Sequence, residues 1–176
     1  SGKKAENFTI YGYRGTAAET YANENGFTFI PLDSTDHNGI NVVLNSGDVV
    51  EAGQYSEPDE YASDYKAVGT VTFNATGSEP ITVKRLGFSG NSSFSNNVKN
   101  IIFNGNGEII LDSLAFSCSC VTTLYLPSNV HFADDAEYVF DGAKNLKKAI
   151  VACKLCPNMF SESKELREVE FSQGNN

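Results

Sequence analysis

The residues of this chain best suited to chemistry are four cysteines in two close pairs, Cys118-x-Cys120 and Cys153-x-x-Cys156. Thiols so spaced have three uses: a metal site, a redox pair, or apolar filler. A tetrathiolate zinc site needs four sulfurs converging on one tetrahedron, each about 2.3 Å from the metal. A nucleophilic thiol needs a His or basic neighbour that lowers its pKa. The only imidazoles are His37 and His131, and nothing in the spacing sets either beside a sulfur. The elements that carry the two pairs decide among these uses.

Three other groups of polar residues invite a chemical reading. Asp33, Asp36, Asn38 and Asn41 form an oxygen-rich stretch like a calcium loop. With Gly39 at the glycine position, however, the first and last ligand places fall on Ser34 and Asn45, so an Asx-rich turn is the better reading. Asp134, Asp135 and Glu137 lie too close along one turn to face each other across a cleft, as glycosidase carboxylates must, and read as a solvated edge. Asn7, Asn74 and Asn91 begin N-x-S/T triplets, which an Asn-, Ser- and Thr-rich chain produces by chance.

The elements themselves come from composition and periodicity. The chain has 176 residues, 40% hydrophobic and 20% charged, with 15 Gly, 12 Phe, 8 Tyr and no Trp, a balance that favours strands and turns in a globular unit. A net charge of −9 argues against a nucleic-acid binder or a partner of anionic membranes. No apolar run approaches the roughly 20 residues that span a bilayer. The opening Ser-Gly-Lys-Lys reads as a cloning remnant on an excised piece, so the missing export signal says nothing of the parent protein.

Five segments share the pattern φ-x-x-φ-x-φ, starting at Val68, Val98, Val121, Leu146 and Leu166. A second marker ends at Phe88, Phe116, Phe140 and Phe160, and keeps step with the first. Units of about 20–25 residues cannot enclose a core alone, so the spacing predicts coils that stack and hide each other's apolar faces. Ile81–Val83, Glu108–Leu111 and Asn129–Phe132 read as second strands on the return side. The unit "AFSCSCVTTLYLP" resembles the A-F-x-x-C-x-x-L-x-x-φ-x-φ-P repeat of BspA-like bacterial leucine-rich-repeat proteins, with one residue deleted. "VFDGAKNLKKAIV" and "MFSESKELREVEF" fit the same frame. The resemblance covers residues 68–171. It implies an α/β, strand-rich leucine-rich-repeat solenoid, a right-handed superhelix with a parallel sheet, of about four to five units. In this frame the two cysteine pairs fall in non-adjacent units, which favours buried thiols as filler and leaves a local Cys153–Cys156 disulfide as the alternative.

Residues 1–33 are similar to the closing segment of such arrays: a strand, a Gly turn, a helix over Ala17–Asn25 and a final strand. Thr16 and Glu19 would form a capping box, and Asn25-Gly26 would end the helix. Residues 34–67 match neither pattern and read as a linker or cap with a possible hairpin over 40–50. The repeat array occupies 68–176.

If the first, fourth and sixth positions of each strand point inward, the second, third and fifth form exposed columns. These gather Lys99, Lys147, Lys148 and Arg167, and an apolar stripe of Ile102, Tyr125 and Ile150. This makes Lys99, Ile102, Tyr125, Lys147, Ile150 and Arg167 a candidate partner site, the other reading being that the apolar residues pack under a loop or against a neighbouring domain. The resemblance implies a non-catalytic adhesion module, cell-surface or secreted, that binds a host or neighbouring-cell protein, with a glycan as a further possibility. The alternative is an accessory carbohydrate-binding or spacer module of a larger secreted enzyme. Neither reading calls for a cofactor.

Overall fold

The computed structural model describes residues 9–12, 17–31, 40–56, 68–90 and 98–172. They form an α/β, strand-rich molecule with one helix and parallel sheets, divided into two compact units, 1–36 and 37–176. No described helix is long and apolar enough to cross a membrane. The oxygen-rich stretch at 33–38, His37, Thr16 and the triplets at Asn7 and Asn91 lie outside the described residues.

In the first unit, β1 (Thr9–Gly12) and β2 (Thr28–Pro31) pair in parallel, Thr9 with Thr28 through Gly12 with Pro31, across α1 (Ala17–Asn25). The helix stops where the sequence predicts. Gly26 takes φ 64°, and the Phe27 N–H donates to the Ala22 carbonyl at 2.9 Å. The Tyr21 and Phe27 rings lie 6.1 Å apart.

The second unit contains three sheet systems and a turn ladder. β3 (Ile40–Asn45), β5 (Val68–Ala75) and β7 (Asn100–Gly105) form one parallel sheet. β9 (Thr123–Leu126), β11 (Lys148–Val151) and β12 (Glu168–Phe171) form a second. A third runs β4 (Val49–Val50), β6 (Ile81–Val83), β8 (Ile109–Leu111) and β10 (Val130–Phe132). The register follows the sequence columns: Val71 faces Ile101, Phe73 faces Phe103, Leu124 faces Ala149, and Leu126 faces Val151. First, fourth and sixth positions are buried through Leu146–Val151, apart from the half-buried Phe103. At the last strand Leu166 is half-buried, and Val169 and Phe171 are exposed, because no described strand covers them.

The Phe markers stack into one column of rings. Phe88 and Phe116 are 5.2 Å apart and 8° from parallel; Phe116 and Phe140 are 5.5 Å and 7°; Phe140 and Phe160 are 6.2 Å and 31°. Tyr55 extends the column, stacked on Phe88 at 5.0 Å and 4°. Backbone bonds lock the turns in step: Leu86 donates to Ser113, Leu114 to Glu137, and Tyr138 to Pro157. Two residues ahead of each ring stands a left-handed residue: Gly53, Leu86, Leu114, Tyr138 and Asn158, with φ between 53° and 70°. Non-glycine residues take this conformation only where the surroundings over-determine it, here through the rung-to-rung bonds.

The hairpin expected over 40–50 does not form. β3 and β4 join different sheets, and Gly47, at φ 91°, turns the chain from one to the other. Each strand pairs in parallel with the next strand of its own sheet, β3 with β5 and β4 with β6, so Ile40–Tyr55 show the strand, strand and ring order of the segments that follow. At the strand ends Asn74 Nδ2 reaches Asn45 Oδ1 at 3.5 Å, and Asn104 Nδ2 reaches Asn74 Oδ1 at 3.0 Å. Asn74, the middle N-x-T position, is therefore a rung of an asparagine ladder.

Candidate functional site

The outer face of the second sheet brings part of the expected site together. Tyr125 pairs with Ile150 in register, and Ile150 with Glu170. The Tyr125 side chain is 41% exposed, and Ile150 is half-buried. One column away, Thr123, Lys148 and Glu168 lie abreast. Lys148 Nζ bridges Glu168 Oε1 at 2.7 Å and Glu170 Oε2 at 3.1 Å. The hydrogen bond to Glu168, and then that to Glu170, raise the Lys148 pKa, so its charge is fixed and also satisfied locally. Exposed pairs of this kind add little stability and are screened by salt.

The rest of the predicted site is divided. Ile102 lies in the other sheet, paired with Thr72, whose other neighbour in that column is Val43 at 53% exposure. The column is not continuous from Ile102 to Tyr125, because β7 and β9 belong to separate sheets. At this seam the Cys120 N–H reaches the Val98 carbonyl at 2.7 Å. Elsewhere the first bond between coils joins residues of one column, as in Lys99 to Gly69 and Lys147 to Thr122. The offset lies where the sequence pattern has lost one residue before Val121. Two outward positions are not exposed: Gly69 is buried, and Asn100 is 4% exposed with its Nδ2 3.3 Å from Thr70 Oγ1.

The basic residues differ in what they offer. Lys147 is exposed, and Lys99 is half-buried. Arg167 donates through Nη1 to the Lys164 carbonyl and stands 3.5 Å from Glu165. The surface that remains is an apolar Tyr125–Ile150 pair with Lys147 near one end and the Lys148–Glu168–Glu170 cluster beside it.

None of the four cysteines forms a disulfide, and all four are half-buried. No group of three or more His, Cys, Asp or Glu among the described residues could hold a metal. Cys153 and Cys156 pack against the core, and burial pushes the Cys153 thiol up to about 11 and raises Cys156 in the same direction. Such thiols stay protonated at neutral pH. At pH 7.5 the Cys153 thiolate population should be about 300-fold below that of an open thiol near 8.5. Alkylation of Cys153, followed by mass spectrometry, should rise about tenfold per pH unit up to about 11. A plateau near pH 9 would mean that this thiol is open. The acidic trio is exposed: Ser113 Oγ meets the Asp135 carbonyl at 3.4 Å and the Glu137 N–H at 3.1 Å. Asp141 is raised by burial and by Glu162, while Ser161 and Gly142 hydrogen-bond it and pull the other way.

Two features were open to sequence reasoning and were missed. Glu168 and Glu170 stand in the same columns as Lys148 and Ile150 one coil later, so their pairing could have been read from the alignment. Tyr55 keeps the ring's place but hides behind its residue type. The chain matches no family model, no curated protein and no solved structure.

Proposed function

We propose that residues 37–176 are a right-handed solenoid of leucine-rich-repeat type, similar to the BspA-like proteins, that serves as a non-catalytic protein-interaction module of a cell-surface or secreted protein. The in-register parallel ladders, the five-ring column and the turn bonds that repeat from coil to coil support the solenoid reading. The observation that carries the binding reading is the exposed Tyr125–Ile150 pair on a rigid sheet, flanked by fixed charges. A Tyr over an aliphatic neighbour gives apolar area with a polar tip at low entropic cost, the type of anchor that interfaces concentrate.

The test combines Tyr125→Ser and Ile150→Ser in one variant and screens both proteins against immobilised extracellular matrix proteins and a glycan array. The expected result is a protein ligand whose affinity falls at least tenfold in the variant while the melting temperature stays within about 2 °C, since both side chains sit on the outer face. Lost stability with unchanged binding would make the pair a packing surface. A glycan ligand would favour the accessory-module reading, to which Tyr125 is suited as an exposed planar ring.

A further inference from the structure

The return sheet stops one strand early, and the chain length explains why. Turn carbonyls at Arg85, Ser113, Glu137 and Pro157 are equivalent, each accepting from the turn before it. From the last inward residue of each outer strand the chain takes twelve steps from Phe73 to Arg85, ten from Phe103 to Ser113 and eleven from Leu126 to Glu137. From Val151 to Pro157 it takes only six. The shortfall matches a three-residue return strand and its turn. Ala152–Cys156 therefore take a shorter path that walls the place of a fifth strand without filling it, and no described strand pairs with the far edge of β10.

That edge carries main-chain groups at strand spacing. Ile109 donates to the Asn129 carbonyl, and Ala133 donates to Leu111, so residues 129, 131 and 133 point at β8. Alternation then turns Val130 and Phe132 outward. The Val130 N–H is taken by Pro127 at 3.1 Å, which leaves its carbonyl and both main-chain groups of Phe132 on the open side. A groove of about 360 Å³ runs along this edge, walled by His131, Phe132 and Ala133 on one side and by Lys154, Leu155 and Cys156 on the other. Inward positions of the sheet are filled by Ile81, Ile109 and Val130, and by Val50, Val83, Leu111 and Phe132. A fifth strand would continue these rows with aliphatic side chains over Leu155 and Cys156.

We propose that this groove takes an extended, alternately aliphatic peptide segment of a partner protein, which adds to β10 as the missing fifth strand. Open strand edges pair readily with extended chain, with main-chain bonds giving affinity and alternate side chains giving selectivity. The site is separate from the Tyr125 face and stands whether or not that face binds.

The first probe is a fluorescein-labelled, end-blocked nonapeptide with the sequence of residues 127–135, which already makes this kind of strand; a displayed library of random nonapeptides, selected on the intact chain, supplies the second. Saturable binding that raises fluorescence polarisation and slows Cys156 alkylation at least fivefold is expected. N-methylation of one alternate set of peptide residues should lower affinity at least tenfold and of the other set less than twofold. Ala133→Trp, with its melting curve unchanged, should abolish binding. Failure of the nonapeptide together with a selection that yields no alternating sequence would overturn the proposal. Equal effects of the two methylated sets would also overturn it, since that is adhesion without strand pairing. Self-association that the nonapeptide reverses would assign the edge to a second copy of this chain and overturn the partner reading.

Discussion

Phe116→Ala is expected to destabilise the 37–176 unit by about 3–5 kcal/mol, the usual range for deleting a fully buried ring. Phe116 has no exposed surface and lies between Phe88 and Phe140 in near-parallel stacking, with the edge of Phe73 at 6.3 Å. The lost area and the void act together, and stacked pairs add roughly 0.5–1.5 kcal/mol each beyond burial. Neighbouring rings cannot close the gap, because the backbone bonds at Phe88, Phe116 and Phe140 fix the spacing of the turns that carry them. For a unit of this size the loss corresponds to a fall of about 10 °C or more in melting temperature. Phe160→Ala is the control. That ring is half-buried, tilted at 31° and stacked on one side among the described rings, so its loss should cost less than half as much. Equal costs at Phe116 and Phe160, measured by urea unfolding, would show that the column does not act as a continuous stack.

What the sequence disclosed follows from what repeats within it. Inward residues recur with a period of two, and burial then fixes their face. Val71, Phe73, Leu124, Leu126, Ala149 and Val151 therefore lie where the alignment puts them. The strand at Ile40–Asn45 is legible in the sequence only as half of a hairpin, because the regular spacing puts Gly39, not the apolar Ile40, three places before Val42, and because its ring is a Tyr. The left-handed residues could not be read either. Leu86, Leu114 and Tyr138 are not types that favour positive φ, and the conformation is imposed by bonds from neighbouring coils. The asparagine ladder lay open to a spacing search, since Asn45, Asn74 and Asn104 stand 29 and 30 residues apart, close to the strand period.

At the candidate sites legibility ran out sooner. The alignment supplied Tyr125 beside Ile150, but a column drawn from spacing assumes one continuous sheet. The residue missing before Val121 marks the seam that separates Ile102 from Tyr125. A similar shortening after Val151 removes a return strand and opens the edge of β10. Irregularities in the spacing of the repeat carry much of the structural information here, because a repeat with fewer residues must abandon a bond or a strand.

Gly105→Ala should rival the loss of Phe116, for a different reason. Gly105 closes β7 opposite Ala75, and its φ of 84° lies where a side chain is strained. A Cβ built there would overlap the Ala75 carbonyl oxygen and stand 2.7 Å from its carbon. Both are backbone atoms held by the β5–β7 pairing and by the Gly107 N–H at 2.7 Å from that same oxygen, so neither can swing aside. Strain costs about 1–3 kcal/mol, and forced separation of packed backbone about 1–3 kcal/mol more. Two other glycines isolate the parts. Gly47 has φ 91° but its nearest neighbour is 3.7 Å away, so Gly47→Ala reports strain alone. Gly107 is not left-handed, yet its Cβ would meet the Gly77 carbonyl at 2.8 Å, so Gly107→Ala reports crowding alone. The expected order of destabilisation in urea places Gly105→Ala above each control and near their sum. Should Gly105→Ala prove no worse than Gly47→Ala, the β5 and β7 backbones do not approach as closely as this register requires, and the ladder built on it fails at that rung.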